Sequence, residues 1–197
     1  QIAIFKEAIE AYIKRKLKKK EFFELLDIYP EIFRPDIFDV MNYLKKIKLK
    51  HKDIKIMIYT NNIGPKSWTY DIKEYIEKKI KYKIFDTVIT AWKVGDKTYE
   101  KCRSTHDKTI DDLRRCGKIS NQSKIIFFDD NRHPKMIHND IKYIFLYPYH
   151  HDILFEKMIE RFISSNKKLV KKVAKNKQQF GDFVIEFSQN DPLGYRY

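Results

Sequence analysis

The feature that most constrains this chain is Ile125-Ile126-Phe127-Phe128, four apolar residues in a row that stop abruptly at Asp129-Asp130-Asn131. A run without polar alternation is the mark of a strand buried on both faces, and such strands belong to parallel sheets wrapped by helices. The segments around it keep the same rhythm. Ile54 to Tyr59 reads as a strand, broken by the turn-forming Thr60-Asn61-Asn62-Ile63-Gly64-Pro65. A helical stripe of Ile72, Tyr75, Ile76 and Ile80 follows, then a β-rich stretch from Phe85 to Trp92. Thr105 to Cys116 reads as a short helix stopped by Gly117, Ile141 to Leu146 as a strand ended by Pro148, and Ile153 to Phe162 as a last core helix. Earlier in the chain, Ala8, Ile9, Tyr12, Ile13 and Leu17 recur at helical spacing. Pro35 suits the first turn of a helix whose buried stripe is Ile37, Val40, Met41, Leu44 and Ile47. Strand and helix alternate, which predicts an α/β fold with a largely parallel central sheet.

Composition narrows the classes. Of 197 residues, 43% are hydrophobic and 15% aromatic, enough for a packed core and too many for a disordered chain. No apolar run reaches the roughly 18 to 20 residues that span a bilayer, and no signal peptide is visible. With two cysteines, Cys102 and Cys116, the chain has too few for a disulfide framework and reads as a soluble protein of a reducing compartment, cytoplasm or nucleus, or of a virion. The net charge of +14 favours polyanionic partners: phosphate esters, acidic protein or nucleic acid. Lys167, Lys168, Lys171, Lys172 and Lys175 share one helical face opposite Val170, Val173 and Ala174, an arrangement that fits a solvated face or a polyanion track. Phe180, Phe183, Ile185 and Phe187 alternate as in a strand, and with Tyr195 and Tyr197 they should pack on the domain or a partner. The expected division is a domain over 1–165 and a basic, aromatic extension over 166–197.

Three places carry chemistry. In an open parallel sheet, ligands sit beyond the carboxyl ends of the strands. Thr60 and Asn61 stand at one such end, where a hydroxyl and free amides can hold a phosphate; the bland alternative is a turn or a helix cap. Asp129 and Asp130 stand at another, and adjacent carboxylates there call for a cation such as Mg²⁺, or form an ordinary strand-end turn. Between them Lys108, in Thr105-His106-Asp107-Lys108, could neutralise a phosphoryl group, or could be one more solvated lysine. Cys102, His106, Cys116, His133 and His138 fit no standard zinc spacing.

A strand ending in Thr60, then Lys108, then a strand ending in Asp129-Asp130, in that order, resembles the second, third and fourth motifs of the haloacid dehalogenase (HAD) superfamily. Phe33-Arg34-Pro35, Ile58-Tyr59-Thr60, Lys108 with Leu113 and Gly117, and Asp129-Asp130-Asn131 resemble the branch of carboxy-terminal-domain and nuclear-LIM-interactor-factor-like phosphatases. Tyr59-Thr60-Asn61-Asn62 with Pro65 and Trp68, and Cys102-Arg103 through Lys108 to Cys116, resemble HAD-like proteins of large DNA viruses. The resemblance covers about residues 20–150. It implies a three-layer Rossmann-like fold and an Mg²⁺-dependent phosphatase acting on phosphomonoesters such as phosphoserine in protein. Thr60 and Asn61 would bind phosphate, Lys108 would stabilise charge, and Asp129 with Asp130 would hold the metal.

The family's first motif, Asp-x-Asp, which supplies the nucleophile and the general acid, is absent. Asp36 and Asp39 have the wrong spacing, and Asp111-Asp112 reads as helical. Only Ile2-Ala3-Ile4-Phe5 has the character of the strand that should precede it, and Lys6 stands where an Asp is due. Read alone, this run fits a buried strand or the start of a helix; on the resemblance, residues 2–5 are expected to form the central strand. Two alternatives stay open on function: a phosphatase whose catalytic loop lies outside these residues, or an inactive HAD-fold structural protein, as in a capsid or assembly factor. A basic nucleic-acid-binding accessory protein is a third.

Overall fold

A computed structural model describes residues 1–190; residues 191–197, with Tyr195 and Tyr197, lie outside the described residues. The fold is mixed α/β, with eight α-helices and six short strands among the described residues. It divides into two compact units, one from residues 1–35 and 150–197, the other from 36–149. The boundary expected at residue 165 does not coincide with this division.

The first unit is helical: α1 (Ile2–Tyr12), α2 (Lys19–Ile28), α6 (Phe155–Ser164), α7 (Lys168–Val173) and α8 (Lys177–Gln189). Here the central strand expected at residues 2–5 is overturned. Ile2, Phe5 and Ile9, with Ile4 and Ala8, are all buried on one stripe of α1. The four-residue run was one end of a longer 3.6-residue period, and a run that short fits strand and helix alike. The strand expected from Phe180 to Phe187 is overturned for the same reason. Phe180, Phe183, Val184 and Phe187 stand at i, i+3, i+4 and i+7, the helical spacing, and Phe180 and Val184 are fully buried in α8. The segment does pack: Phe180 stacks on Phe162 at 5.1 Å and meets Phe5 edge-on at 6.4 Å. Leu169, Val170 and Val173 bury one side of α7, while Lys171 and Lys172 stay exposed.

The second unit carries the strands and three helices, α3 (Ile37–Lys50), α4 (Lys66–Ile80) and α5 (Ile110–Gly117). β1 (Met57–Tyr59) runs parallel to β2 (Thr87–Ile89), and β5 (Ile125–Asp129) runs parallel to β6 (Ile141–Phe145). β3 (Lys93–Val94) and β4 (Lys97–Thr98) form a small antiparallel hairpin whose turn places Gly95 at φ +57°, where a Cβ would be strained. The expected single sheet is thus present as separate parallel pairs. Among the described residues no strand joins β1 to β5, and residues 2–5, expected to be that strand, are helical. The two pairs nevertheless share one apolar cluster. Ile89, Leu113, Phe127 and Met136 are buried in it, with Met57, Tyr59, Ile125 and Tyr143 packed against them. Side chains alternate across a strand, so the other face of β5 presents Ile126 and Phe128, which are 60% and 56% exposed. The run that predicted a strand covered on both faces is covered on one. α3, expected to carry a buried stripe, has no fully buried residue, and it begins at Ile37, two residues after Pro35.

Candidate phosphate site at the strand ends of the second unit

The strand ends meet around one buried arginine. Thr60 leaves β1 with its N–H still donated to Ile89 O of β2 at 2.9 Å. The chain then folds back on itself: Asn62 N–H donates to Thr60 Oγ1 at 3.1 Å, and Gly64 N–H to Asn62 Oδ1 at 2.7 Å. A Cβ on Gly64 would meet that Oδ1 at 2.9 Å, so the turn admits only glycine without adjustment. Thr60 does not cap α4, which starts six residues later. Its hydroxyl accepts from its own loop.

Arg103 knits this loop to the next. Its Nη1 donates to Asn61 Oδ1 at 2.7 Å, to Thr90 O at 2.9 Å and to Thr60 O at 3.4 Å. Its Nη2 donates to His106 O at 3.0 Å and Asp107 O at 2.8 Å. The guanidinium lies 4.9 Å from the Tyr59 ring centre and 4.0 Å from the Asp112 carboxylate, with no side-chain exposure at either end of that pair. Its five donors in a rigid fork are what one side chain needs to satisfy several converging carbonyls. Asp112, fully buried, accepts from Ser104 N–H and Oγ and from Arg115.

Lys108 is the other organising cation. It stands just before the Thr109 cap of α5, whose hydroxyl accepts from Asp112 N–H at 3.0 Å, so the helix expected from Thr105 begins only at Ile110 and Lys108 ends the preceding loop. Its Nζ reaches Asp129 Oδ2 at 2.5 Å, with the two side chains 10% and 8% exposed. The Tyr59 and Phe127 rings flank the same ammonium at 5.8 and 5.7 Å. Cation–π attraction thus supports a charge otherwise costly to bury. Tyr59 OH accepts from Thr109 N–H at 3.2 Å, and burial raises the Tyr59 pKa above the usual phenol value.

Asp129 has a partner on each oxygen. Besides Lys108 on Oδ2, its Oδ1 accepts from Asn131 N–H at 2.9 Å and faces His133 Nε2 at 3.3 Å. Burial pulls its pKa up, yet the hydrogen bonds from Lys108 and Asn131 N–H and the nearby positive charge of Lys108 outweigh it and hold the carboxyl below the usual range. Asp130 accepts from the Asn131 side-chain amide at 3.2 Å.

Thr60, Asn61, Lys108 and Asp129 are therefore brought to one cluster, linked through Arg103 and Tyr59. The expected metal pair is not assembled in the same sense. Lys108 Nζ sits on Asp129 Oδ2, and Asp130 accepts from the Asn131 side-chain amide. No group of three or more His, Cys, Asp or Glu among the described residues is placed to hold a metal ion. As arranged, this donor set does not fit a resident Mg²⁺, an ion that demands several oxygen ligands in near-octahedral array.

Arg103, Asp112 and the Tyr59 hydroxyl escaped the sequence reading. Arg103 stands in the Cys102-Arg103 stretch of the resemblance, but nothing local gives it a role apart from the other 40 basic residues. The cysteines also differ from expectation: Cys102 and Cys116 are disulfide-bonded, with Cα atoms 5.3 Å apart. A turn from Cys102 back to α5 makes neighbours of residues 14 apart, which spacing alone does not reveal. No helix among the described residues is long and apolar enough to cross a membrane. Compared with protein-family profiles, curated proteins and solved structures, the chain gives no match.

Proposed function

We propose that residues 36–149 form a HAD-like domain that recognises a phosphomonoester, the phosphoserine of a protein being the class the resemblance implies, and that these residues do not by themselves turn it over. The Lys108–Asp129 pair, set beside the Thr60 loop at the strand ends, carries this reading. A phosphate dianion offers Lys108 a stronger partner than a single carboxylate and can take further hydrogen bonds from the Thr60 hydroxyl and nearby backbone amides. Binding is then an exchange: the anion displaces Asp129 from the ammonium.

Turnover needs more. Covalent phosphoryl transfer requires a carboxylate oxygen in line with the leaving oxygen. Asp129 is the carboxylate that touches Lys108, and both its oxygens are engaged. Hydrolysis would follow only if another segment brought an aspartate to the open strand ends. A structural or assembly role is the second reading, supported by the apolar residues left in water on the strand unit: Ile126, Phe128, Ile137 and Tyr147. Charge alone supports nucleic-acid binding, and no sequence motif adds to it.

Inorganic phosphate binding followed by NMR, and hydrolysis of p-nitrophenyl phosphate and a phosphoserine peptide with Mg²⁺, test this together. The wild type should bind phosphate without turnover. Lys108→Met should abolish binding, whereas Asp129→Asn should tighten it severalfold by freeing the ammonium. Turnover by the wild type that Asp129→Asn abolishes would replace this reading with that of a complete phosphatase.

A further inference from the structure

The disulfide closes the segment that presents the cations of the candidate site. Cys102 directly precedes Arg103, and Cys116 lies in the last turn of α5. Between them the chain carries Arg103, Lys108 and the Thr109 cap, while residues 103–109 form neither helix nor strand. The closure is reinforced from both sides. Arg115 Nε donates to Cys102 O at 2.6 Å, and Ser104 N–H and Oγ donate to Asp112 at 3.1 and 2.9 Å. Neither cysteine is fully buried, although Cys116 packs against the Ile89–Leu113–Phe127–Met136 cluster.

We propose that the Cys102–Cys116 disulfide is a redox latch on the Lys108 loop, closed by oxidation and opened by a dithiol reductant. In opening, one thiolate of the dithiol attacks a protein sulfur and forms a mixed disulfide. Its second thiolate then displaces that sulfur. Both cysteines leave as thiols and the reductant leaves as a cyclic disulfide, so two electrons and two protons pass to the protein. The surroundings decide which reductant fits. Glu100 Oε1 lies 3.4 Å from Cys102 Sγ, and Cys116 sits at the negative end of the α5 dipole. Both features disfavour a thiolate, so the reduced form gains no electrostatic support and a monothiol is a poor opener. A dithiol that cyclises drives the exchange to completion. Once opened, the loop keeps the Arg103 and Asp112 hydrogen bonds but loses the covalent tether that restricts how far Lys108 can drift from Asp129 and Thr60.

The effect on anion binding rests on the function proposed above; the effect on the loop does not. The full chain is compared oxidised, reduced with dithiothreitol, and as Cys102→Ser/Cys116→Ser. Thiol titration, amide hydrogen exchange and inorganic phosphate binding are read on each, with circular dichroism to confirm that the helices persist. Reduction should expose two thiols and raise exchange of the Ser104–Thr109 amides about tenfold or more, leaving α4 unchanged. Phosphate affinity should fall about fivefold or more, and the serine variant should behave as the reduced protein. Unchanged exchange in that segment after reduction overturns the latch, whatever phosphate does. Faster exchange with no phosphate bound in either state leaves the latch standing and rejects the phosphate reading.

Discussion

The two units solve the same problem with different materials. In the helical unit, Phe5, Phe22, Leu25, Leu26, Tyr29, Phe162 and Phe180 are at most 1% exposed. Phe5 meets Tyr29 and Phe162 edge-on at 5.6 Å each, and the polar tip of Tyr29 is satisfied by Met158 O at 2.6 Å. Burial raises the Tyr29 pKa far above the usual phenol value, as expected for a hydroxyl that never meets water. In the strand unit the cluster under the sheets has four buried members. At its strand ends Arg103, Asp112, the Lys108–Asp129 pair and a disulfide add polar and covalent ties. Apolar burial is non-directional and tolerant; a polar hub is directional and fails as a whole when one member is lost. The strand unit thus adds directional bonds to its apolar burial, whereas aromatic and aliphatic packing dominates the helical unit.

The sharpest way to break this comparison is to open a cavity in the aromatic centre. Phe162→Ala removes a fully buried ring that packs on both Phe5 and Phe180. The expected cost is about 3–5 kcal/mol, read as a shifted urea midpoint of the helical unit. If the change is below about 1 kcal/mol, the apolar core is not what holds that unit.

Much of this was legible in the residues, and what was not has a physical pattern. Ile125 to Phe128 with Asp129-Asp130 placed β5 and its charged end correctly, because an apolar run and an abrupt turn are local signals. Ile72, Tyr75, Ile76 and Ile80 marked α4 for the same reason. Ile2 to Phe5 misled because four residues do not carry a period. Phe180 to Phe187 misled because alternate residues were counted and Val184, which completes the helical stripe, was not. In the candidate site, the order of three motifs points to Thr60, Lys108 and Asp129, which the structure brings into one cluster. Cys102, Arg103 and Cys116 stand in one motif of the resemblance, but their contacts arise only when distant turns meet, and a buried arginine looks like any other in a basic chain.

A smaller effect tests the polar side of the helical unit. Glu21 accepts both Arg15 guanidinium nitrogens, at 2.7 and 2.9 Å, and Lys18 N–H at 2.9 Å. The Arg15 hydrogen bond leads in drawing its pKa down to about 2, against the opposing effect of burial. A carboxyl depressed in the folded state contributes stability that is present above its ordinary value of 4.5 and lost as pH falls towards 2. The melting temperature of the wild type should therefore drop across that window, and Glu21→Gln should flatten the drop while costing less than Phe162→Ala. An equal slope in both proteins would show that other carboxylates, Asp129 in the strand unit among them, carry the acid sensitivity.

The smallest expected effect concerns the uncovered face of β5. Phe128 lies in the same strand as the buried Phe127, yet its ring stands on the opposite side and is 56% exposed. Folding removes little of it from water, so Phe128→Ser should change stability by no more than about 0.5 kcal/mol in urea denaturation, whereas Phe127→Ser, at 8% exposure, should cost several times more. Adjacent phenylalanines with such unequal costs would show that the strand is sealed on one face only. A loss of about 2 kcal/mol or more at Phe128 would mean that this face is covered in solution, and the apolar surface that supports an assembly role would disappear.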